Sequence, residues 1–191
     1  MKQLTNKYRN FFVVLVMLLI LVFLRTDYRF IEKPICCGDD HDYFSHSETL
    51  IIDFDFDYSN QLKGFEEKRF VNKNKIAPKG FIGTGIFAAP FLLLGSLIDE
   101  VIFKIFQRNT NSLMNYKLLL YSLSSIFYFF SSIFLTSKTL DNLNIKSNNL
   151  FLTLIYAGSG ISYFAFERYS MTHVFEVFTV SGILYLSSEF Y

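Results

Sequence analysis

Residues 11–24 read FFVVLVMLLILVFL, fourteen consecutive apolar side chains between Arg9 and Arg25. A helix of fourteen residues covers about 21 Å, and its polar-ended neighbours can extend it toward the roughly 30 Å hydrocarbon core of a bilayer. The alternative is a cleaved signal peptide, which requires small residues at a cleavage site. The polar residues 25–28 follow instead. The pattern therefore predicts an uncleaved signal-anchor helix in residues 1–25.

The composition extends this interpretation to the whole chain. Of 191 residues, 51% are hydrophobic and only 18% are charged, whereas about one quarter are charged in soluble domains. The net charge of +1 provides no bulk attraction to nucleic acid. These values exclude an ordinary soluble enzyme and a disordered chain, and they predict an integral membrane protein. Lys2, Lys7 and Arg9 place the N-terminus in the cytoplasm.

The predicted fold class is all-α integral membrane, with about four transmembrane helices and juxtamembrane amphipathic helices in a large exported first loop. Residues 26–80 form that exported polar loop. Residues 81–108 form a juxtamembrane or re-entrant segment, whose apolar stretch is interrupted by Pro90 and Gly95. Residues 112–191 hold the remaining transmembrane helices, at about 116–136, 150–166 and 174–191.

Two of these helices carry a stripe of small and hydroxyl-bearing side chains. Such stripes allow helices to approach closely in a membrane, so we interpret them as packing faces rather than ligand sites. The first stripe comprises Tyr121, Ser124, Ser125, Tyr128, Ser131 and Ser132, and the second comprises Thr153, Tyr156, Ala157, Gly160 and Tyr163.

The charge of the exported loop changes sign halfway along it. Residues 39–57 hold seven carboxylates and no Lys or Arg, whereas residues 63–79 hold six basic residues and two acidic ones. An acidic pocket beside a basic segment suits a phosphate ester, with or without a metal ion. The other interpretation is a solvated loop whose two blocks neutralise each other, and charge alone favours it.

Two acidic clusters are the candidates for chemistry. The first is Gly38-Asp39-Asp40-His41-Asp42-Tyr43. Neighbouring carboxylates repel each other when both are ionised, an arrangement that suits a general base or a divalent cation. The metal-ligand candidates are Asp40, His41 and Asp57. The second cluster is Asp53-Phe54-Asp55-Phe56-Asp57, which would direct three carboxylates to one side if it were extended.

Read in chain order, four motifs resemble those of bacterial GT-C-type polytopic membrane glycosyltransferases, the group that includes RgtA/B/C/D-like and mannosyltransferase-like proteins. The resemblance covers about residues 10–190, as the N-terminal portion of such an enzyme, and it implies a multi-pass protein of the inner (plasma) membrane. The segments that carry it are Gly38–Tyr43, Phe54–Asn60 (FDFDYSN), Ile82–Gly95 (IGTGIFAAPFLLLG), and Gly158–Tyr163 followed by Met171–Val174 (MTHV).

The resemblance implies transfer of a sugar from a polyprenyl-phosphate-linked donor to a glycan, lipid or protein acceptor on the exported face. It implies catalytic roles for Asp39, as general base, and for Asp40, where relatives often have Glu. It implies substrate-binding roles for Tyr43, Asp55, Asp57, Asn60 and His173. It implies no definite cofactor and leaves a divalent metal ion as the one candidate, which only some relatives need. Such enzymes are considerably longer, so we expect this chain to be a fragment or an inactive remnant.

The resemblance also bears on the membrane topology. If residues 81–98 crossed the membrane, His173 would lie opposite Asp39. If residues 81–108 lie on the exported surface, both residues face the same side. We adopt the surface arrangement, which keeps residues 26–108 on the exported side, because a shared site needs both clusters there. The alternative function is a non-catalytic small membrane interaction protein or a subunit of a larger assembly.

Overall fold

The computed structural model describes residues 38–64, 70–72, 75–106, 115–146 and 148–190. These residues are mostly helical, with very little strand, as the all-α prediction requires. The predicted signal-anchor helix of residues 1–25 lies outside the described residues.

Among the described residues, the first element, helix α1 (Gly38–Glu48), begins at the first acidic cluster. Helix α1 is followed at once by a π-helical turn, Thr49–Asp53, and then by two short antiparallel strands that pair Val71 with Ile76. The remaining elements are helices. In chain order the elements are α1 (Gly38–Glu48), β1 (Phe70–Asn72), β2 (Lys75–Ala77), α2 (Ile82–Phe106), α3 (Tyr116–Asn142), α4 (Asn149–Gly158), α5 (Gly160–Phe166) and α6 (His173–Ser188).

Helices α2 and α3 are each long and apolar enough to cross a membrane. Pro90 lies inside α2 and does not interrupt it. Gly95 lies where α2 passes the start of α3, because a Cβ atom there would be 2.4 Å from the carbonyl oxygen of Tyr116. Residues 82–106 are therefore one continuous helix, and their placement on the membrane surface stays a prediction.

Helices α4 and α5 are bent by 78° at a break between them, and taken together they are a third candidate span. Ser159 produces the break. Its hydroxyl donates to the carbonyl of Tyr156 at 2.7 Å, which ends α4, and accepts from the amide of Ile161 at 3.3 Å, which begins α5. The described residues thus contain two or three candidate spans. Helix α6 has sixteen residues, about 24 Å at 1.5 Å per residue.

The chain divides into two compact units. The first contains described residues between 38 and 125 together with 169–172, and the second contains 126–168 and 173–190. In the first unit, Asp99 on α2 accepts hydrogen bonds from the backbone amides of Tyr116 and Lys117, at 3.1 and 2.9 Å. Asp99 therefore caps α3, since these amides have no partner within that helix.

In the second unit, polar side chains join the helices. The hydroxyl of Thr136 lies 2.9 Å from that of Tyr156 and 3.3 Å from that of Ser181. Ser137 donates to the side chain of Asn149 at 2.7 Å. Small hydroxyl side chains permit such close approach between apolar helices.

Candidate functional site

The first turn of α1 presents the two candidate catalytic carboxylates differently. Asp39 is exposed, whereas the side chain of Asp40 is 3% exposed. Successive residues of a helix differ in direction by about 100°, so one carboxylate meets solvent while its neighbour turns inward. Of these two, only Asp39 is accessible to a substrate hydroxyl.

Asp42, three residues after Asp39 in the same helix, has a buried side chain with a backbone partner. Its carboxylate is 1% exposed, and its Oδ2 atom accepts a hydrogen bond from the backbone amide of Lys79 at 3.0 Å. A buried carboxylate bonded to a backbone amide fixes the position of that segment. The chain just before α2 is therefore attached to α1.

His46, one turn further along α1, joins three segments. Its Nε2 atom lies 2.9 Å from the carbonyl oxygen of Gly80, and its Nδ1 atom lies 2.8 Å from the hydroxyl of Tyr58. Because a carbonyl oxygen only accepts, Nε2 carries the hydrogen. Burial lowers the pKa of His46, against the opposing effects of the Gly80 hydrogen bond and the Asp42 charge. The neutral imidazole therefore accepts at Nδ1 a hydrogen bond from Tyr58.

Burial favours the neutral form of Tyr58 as it does that of His46. It raises the pKa of Tyr58, and the negative charge of Asp55 acts in the same direction. Tyr58 therefore keeps its proton and remains a donor to His46. The two rings meet edge to face, with their centroids 5.2 Å apart.

Two glycines allow this contact between α1 and the start of α2. A Cβ atom at Gly85 would lie 2.3 Å from the Cβ of His46, and one at Gly80 would lie 2.5 Å from the ring of Tyr43. The hydroxyl of Ser47 also donates to the carbonyl of Gly85 at 3.1 Å. Gly80 and Gly85 are thus needed because no side chain fits between the two segments at these positions.

The second acidic cluster is not extended, so the three carboxylates do not form one face. Thr49–Asp53 is a π-helical turn, and Phe54 follows with φ of 56°, a left-handed conformation. This conformation breaks the two-residue alternation that would have aligned the carboxylates. Asp55 and Asp57 each accept instead from a backbone amide two residues later, both at 3.0 Å.

Further hydrogen bonds within the loop hold the side chains of Ser59, Asn60 and Gln61. The hydroxyl of Ser59 donates to Asp57 at 2.7 Å, and the two bonds from Ser59 lower the pKa of Asp57. Asn60 donates to Asp53 at 2.9 Å, and Gln61 donates to the same oxygen. Asp55, Asp57 and Asn60 therefore shape the loop, and their predicted contacts with substrate stay a prediction.

No family model, no curated protein and no solved structure matches the chain.

The metal interpretation gains no geometric support. Within residues 38–64 and the other described ranges, no group of three or more His, Cys, Asp or Glu side chains could hold a metal ion. His41, one of the three candidate ligands, has its Nδ1 atom 3.2 Å from the hydroxyl of Ser45 in the same helix. Asp57, another, bonds within its own loop.

His173 begins α6, in the second unit. Its ring lies against that of Phe164, with the centroids 4.1 Å apart, and its Nδ1 atom lies 3.7 Å from the carboxylate of Glu176. The side chain is 46% exposed. A partly exposed imidazole can donate to an anion, and the predicted contact of His173 with the donor phosphate stays a prediction.

An apolar cavity of about 470 Å³ lies in the second unit, beside the break between α4 and α5. Phe129, Leu154 and Phe166 contribute apolar walls, and Glu167 contributes a carboxylate. A cavity with this lining suits an apolar chain better than a polar solute.

Sequence reasoning did not identify the residues that hold the site together. Besides His46, these are Glu48 and Lys117, whose charged atoms lie 2.6 Å apart although they are 69 residues apart in the chain. Lys117 also lies 5.6 Å from the centre of the Phe44 ring. His46 follows Asp42 by four residues, a spacing that places both on one helical face and could have indicated a shared role. Nothing in the sequence indicates the partner of Glu48.

Proposed function

We propose that this protein is a GT-C-like membrane glycosyltransferase, or the N-terminal part of one, with Asp39 as its general base. The observation that carries the proposal is the contrast within α1. Asp39 is exposed at the N-terminal turn, while Asp42 and His46 of the same helix are buried and bonded to the segment before α2. Catalysis requires a base that is accessible and rigidly positioned, and this arrangement supplies both.

In the proposed reaction the carboxylate of Asp39 accepts the proton of an acceptor hydroxyl as its oxygen attacks the anomeric carbon of the donor sugar. The bond from that carbon to the phosphate oxygen breaks, and polyprenyl phosphate leaves with the electron pair. The product has inverted configuration, because the attack comes from the face opposite the leaving group. The reaction so written uses no metal ion.

The membrane helices support a lipid-linked donor. Helices α2 and α3 are each long and apolar enough to span a bilayer, so a donor held in the membrane would reach the chain by lateral diffusion. The apolar cavity of about 470 Å³ in the second unit has a lining suited to part of an isoprenoid chain. The basic residues of the loop, such as exposed Lys75 and Lys79, suit the phosphate.

The test is sugar transfer in membranes from cells that express the whole chain. A fluorescent polyprenyl-phosphate sugar is supplied as donor, and labelled glycan, lipid and protein products are separated. We expect transfer with the wild-type chain, loss of product with Asp39→Asn, and normal product with Asp141→Asn, a change at an exposed residue near the end of α3. Equal products from all three proteins, or none from any, would favour the alternative of a non-catalytic interaction protein.

A further inference from the structure

Three large apolar side chains of the first unit are strongly exposed outside its helices. Phe54 is 80% exposed, Phe56 is 67% exposed and Phe81 is 85% exposed. A soluble surface rarely carries several large apolar side chains together, so such a set marks a surface that binds an apolar partner.

The structure brings the two segments that carry these rings to one place. Tyr58, two residues after Phe56, bonds to one nitrogen of His46, and Gly80, the residue before Phe81, bonds to the other. The single imidazole therefore holds the loop of residues 54–58 beside the start of α2. Thr49 fixes the same loop from its other end, by donating to the carboxylate of Asp55 at 3.0 Å.

The segment that carries Phe81 leads directly into α2, whose surface is also apolar. Phe81 directly precedes Ile82, the first residue of a helix that is long and apolar enough to span a bilayer. Ile86, Leu93 and Leu97 along that helix are 53%, 40% and 49% exposed. Phe81 would lie at the bilayer surface both if α2 crosses the membrane and if α2 lies along its exported face, and this is the level at which aromatic side chains anchor membrane proteins.

The charges beside the three rings suit a zwitterionic lipid surface. Lys75 and Lys79 are exposed and carry positive charge, and Asp55 and Asp57 are exposed and carry negative charge. Lysines near a bilayer surface reach the phosphate groups. The two carboxylates disfavour a strongly anionic surface, so a headgroup that carries both signs is the better match.

We infer that Phe54, Phe56 and Phe81 form an interfacial anchor that inserts into a zwitterionic lipid leaflet at the N-terminal end of α2. The anchor would hold α1, with its exposed Asp39, at the membrane surface. The inference concerns lipid binding and does not depend on the proposed transferase activity.

The chain contains no tryptophan, which makes a direct test possible. Phe54→Trp, Phe56→Trp and Phe81→Trp each introduce a single fluorescent probe at an exposed aromatic position, and Lys63→Trp, at an exposed charged residue of the same unit, provides the reference in water. The whole chain is reconstituted into phosphatidylcholine vesicles. Each variant is compared with the wild-type chain by circular dichroism, so that only folded variants are counted.

Quenching by phosphatidylcholine with brominated acyl chains reports contact with lipid, and quenching by acrylamide reports contact with water. We expect brominated lipid to quench the three probes several-fold more than Lys63→Trp, with blue-shifted emission and weak quenching by acrylamide. Strong quenching by acrylamide without quenching by lipid would overturn the inference. Protection from both quenchers would also overturn it, because the rings would then be covered by protein.

Discussion

The Nδ1 atom of His46 lies 2.8 Å from the hydroxyl oxygen of Tyr58, and this buried hydrogen bond ties α1 to the loop that follows it. The other nitrogen of the same ring bonds to Gly80, so one side chain positions both segments against the helix of Asp39. The stability of the first unit therefore depends on a residue that takes no part in the proposed chemistry.

Removing the Tyr58 hydroxyl tests this role. Tyr58→Phe leaves Nδ1 of His46 buried without its donor, which costs about 1–3 kcal/mol of the free energy of unfolding. The matched control is Tyr163→Phe, since Tyr163 is 52% exposed. Denaturant unfolding in detergent measures both variants. Equal stability of Tyr58→Phe and the wild-type chain would show that the hydrogen bond does not hold the loop.

The lowered pKa of His46 predicts a pH dependence of stability. The unfolded chain has the ordinary value of 6.5, so between that pH and the lower folded pKa it binds more protons than the folded chain. The free energy of unfolding should therefore fall as the pH drops below about 6.5 and level off below the folded pKa. Unfolding is measured from about pH 8 to about pH 5. The effect of Asp57, whose lowered pKa starts from 3.8, lies at more acidic pH.

His46→Gln separates this effect from other titrations, because glutamine carries no proton equilibrium in that range. The variant should lose most of the slope below about pH 6.5 even though its stability at neutral pH is reduced. An unchanged slope in His46→Gln would assign the pH dependence to another group.

The helical class and the membrane character could be predicted from the sequence. A long apolar segment such as 116–135 can satisfy its backbone hydrogen bonds in lipid by itself only as an α-helix. The stripe of hydroxyl residues on α3 also predicted its packing, and Ser124, Ser125 and Ser132 are buried. In these features the information is local, since it depends on residues within a few turns of one helix.

The arrangement of the acidic loop could not be predicted in the same way. The alternation of Asp53 to Asp57 suggested an extended segment, but the left-handed conformation of Phe54 depends on the π-helical turn before it. The pairing of Glu48 with Lys117 depends on the contact between distant helices. Side-chain periodicity carries no information about such long-range contacts.

The contact between α1 and α2 predicts opposite outcomes for two neighbouring glycines. Gly85→Ala places a Cβ atom 2.3 Å from that of His46, and such overpacking costs about 1–3 kcal/mol. Gly83→Ala meets nothing within 4 Å in the same helix and should raise stability by about 0.4–1 kcal/mol. Thermal unfolding of the two variants is compared directly. A similar effect of both substitutions would contradict the close approach at Gly85.

The ion pair of Glu48 and Lys117 predicts a measurable coupling. The two side chains are about one fifth exposed, at 22% and 23%, and their charged atoms are 2.6 Å apart. The hydrogen bond between them joins two charged groups. We therefore expect a coupling energy of about 1.5–3 kcal/mol.

A double-mutant cycle with Glu48→Gln and Lys117→Met measures this coupling as a difference in the free energy of unfolding. The pair Glu100 and Lys104 provides the control, since it has the same 2.6 Å separation but is 58% and 69% exposed. The exposed pair should couple by about 0.3–0.5 kcal/mol. Equal coupling in the two cycles would mean that burial of the first pair contributes nothing.

The assignment of Asp39 as general base is tested most directly by the kinetic parameters of Asp39→Asn, with Asp141→Asn as control. A general base acts in the transition state, so kcat for sugar transfer should fall about 100- to 10,000-fold while KM for the acceptor stays nearly unchanged. Asp141→Asn should leave both parameters unchanged. A rise in the KM of Asp39→Asn with an unchanged kcat would contradict the assignment, because Asp39 would then only bind the acceptor.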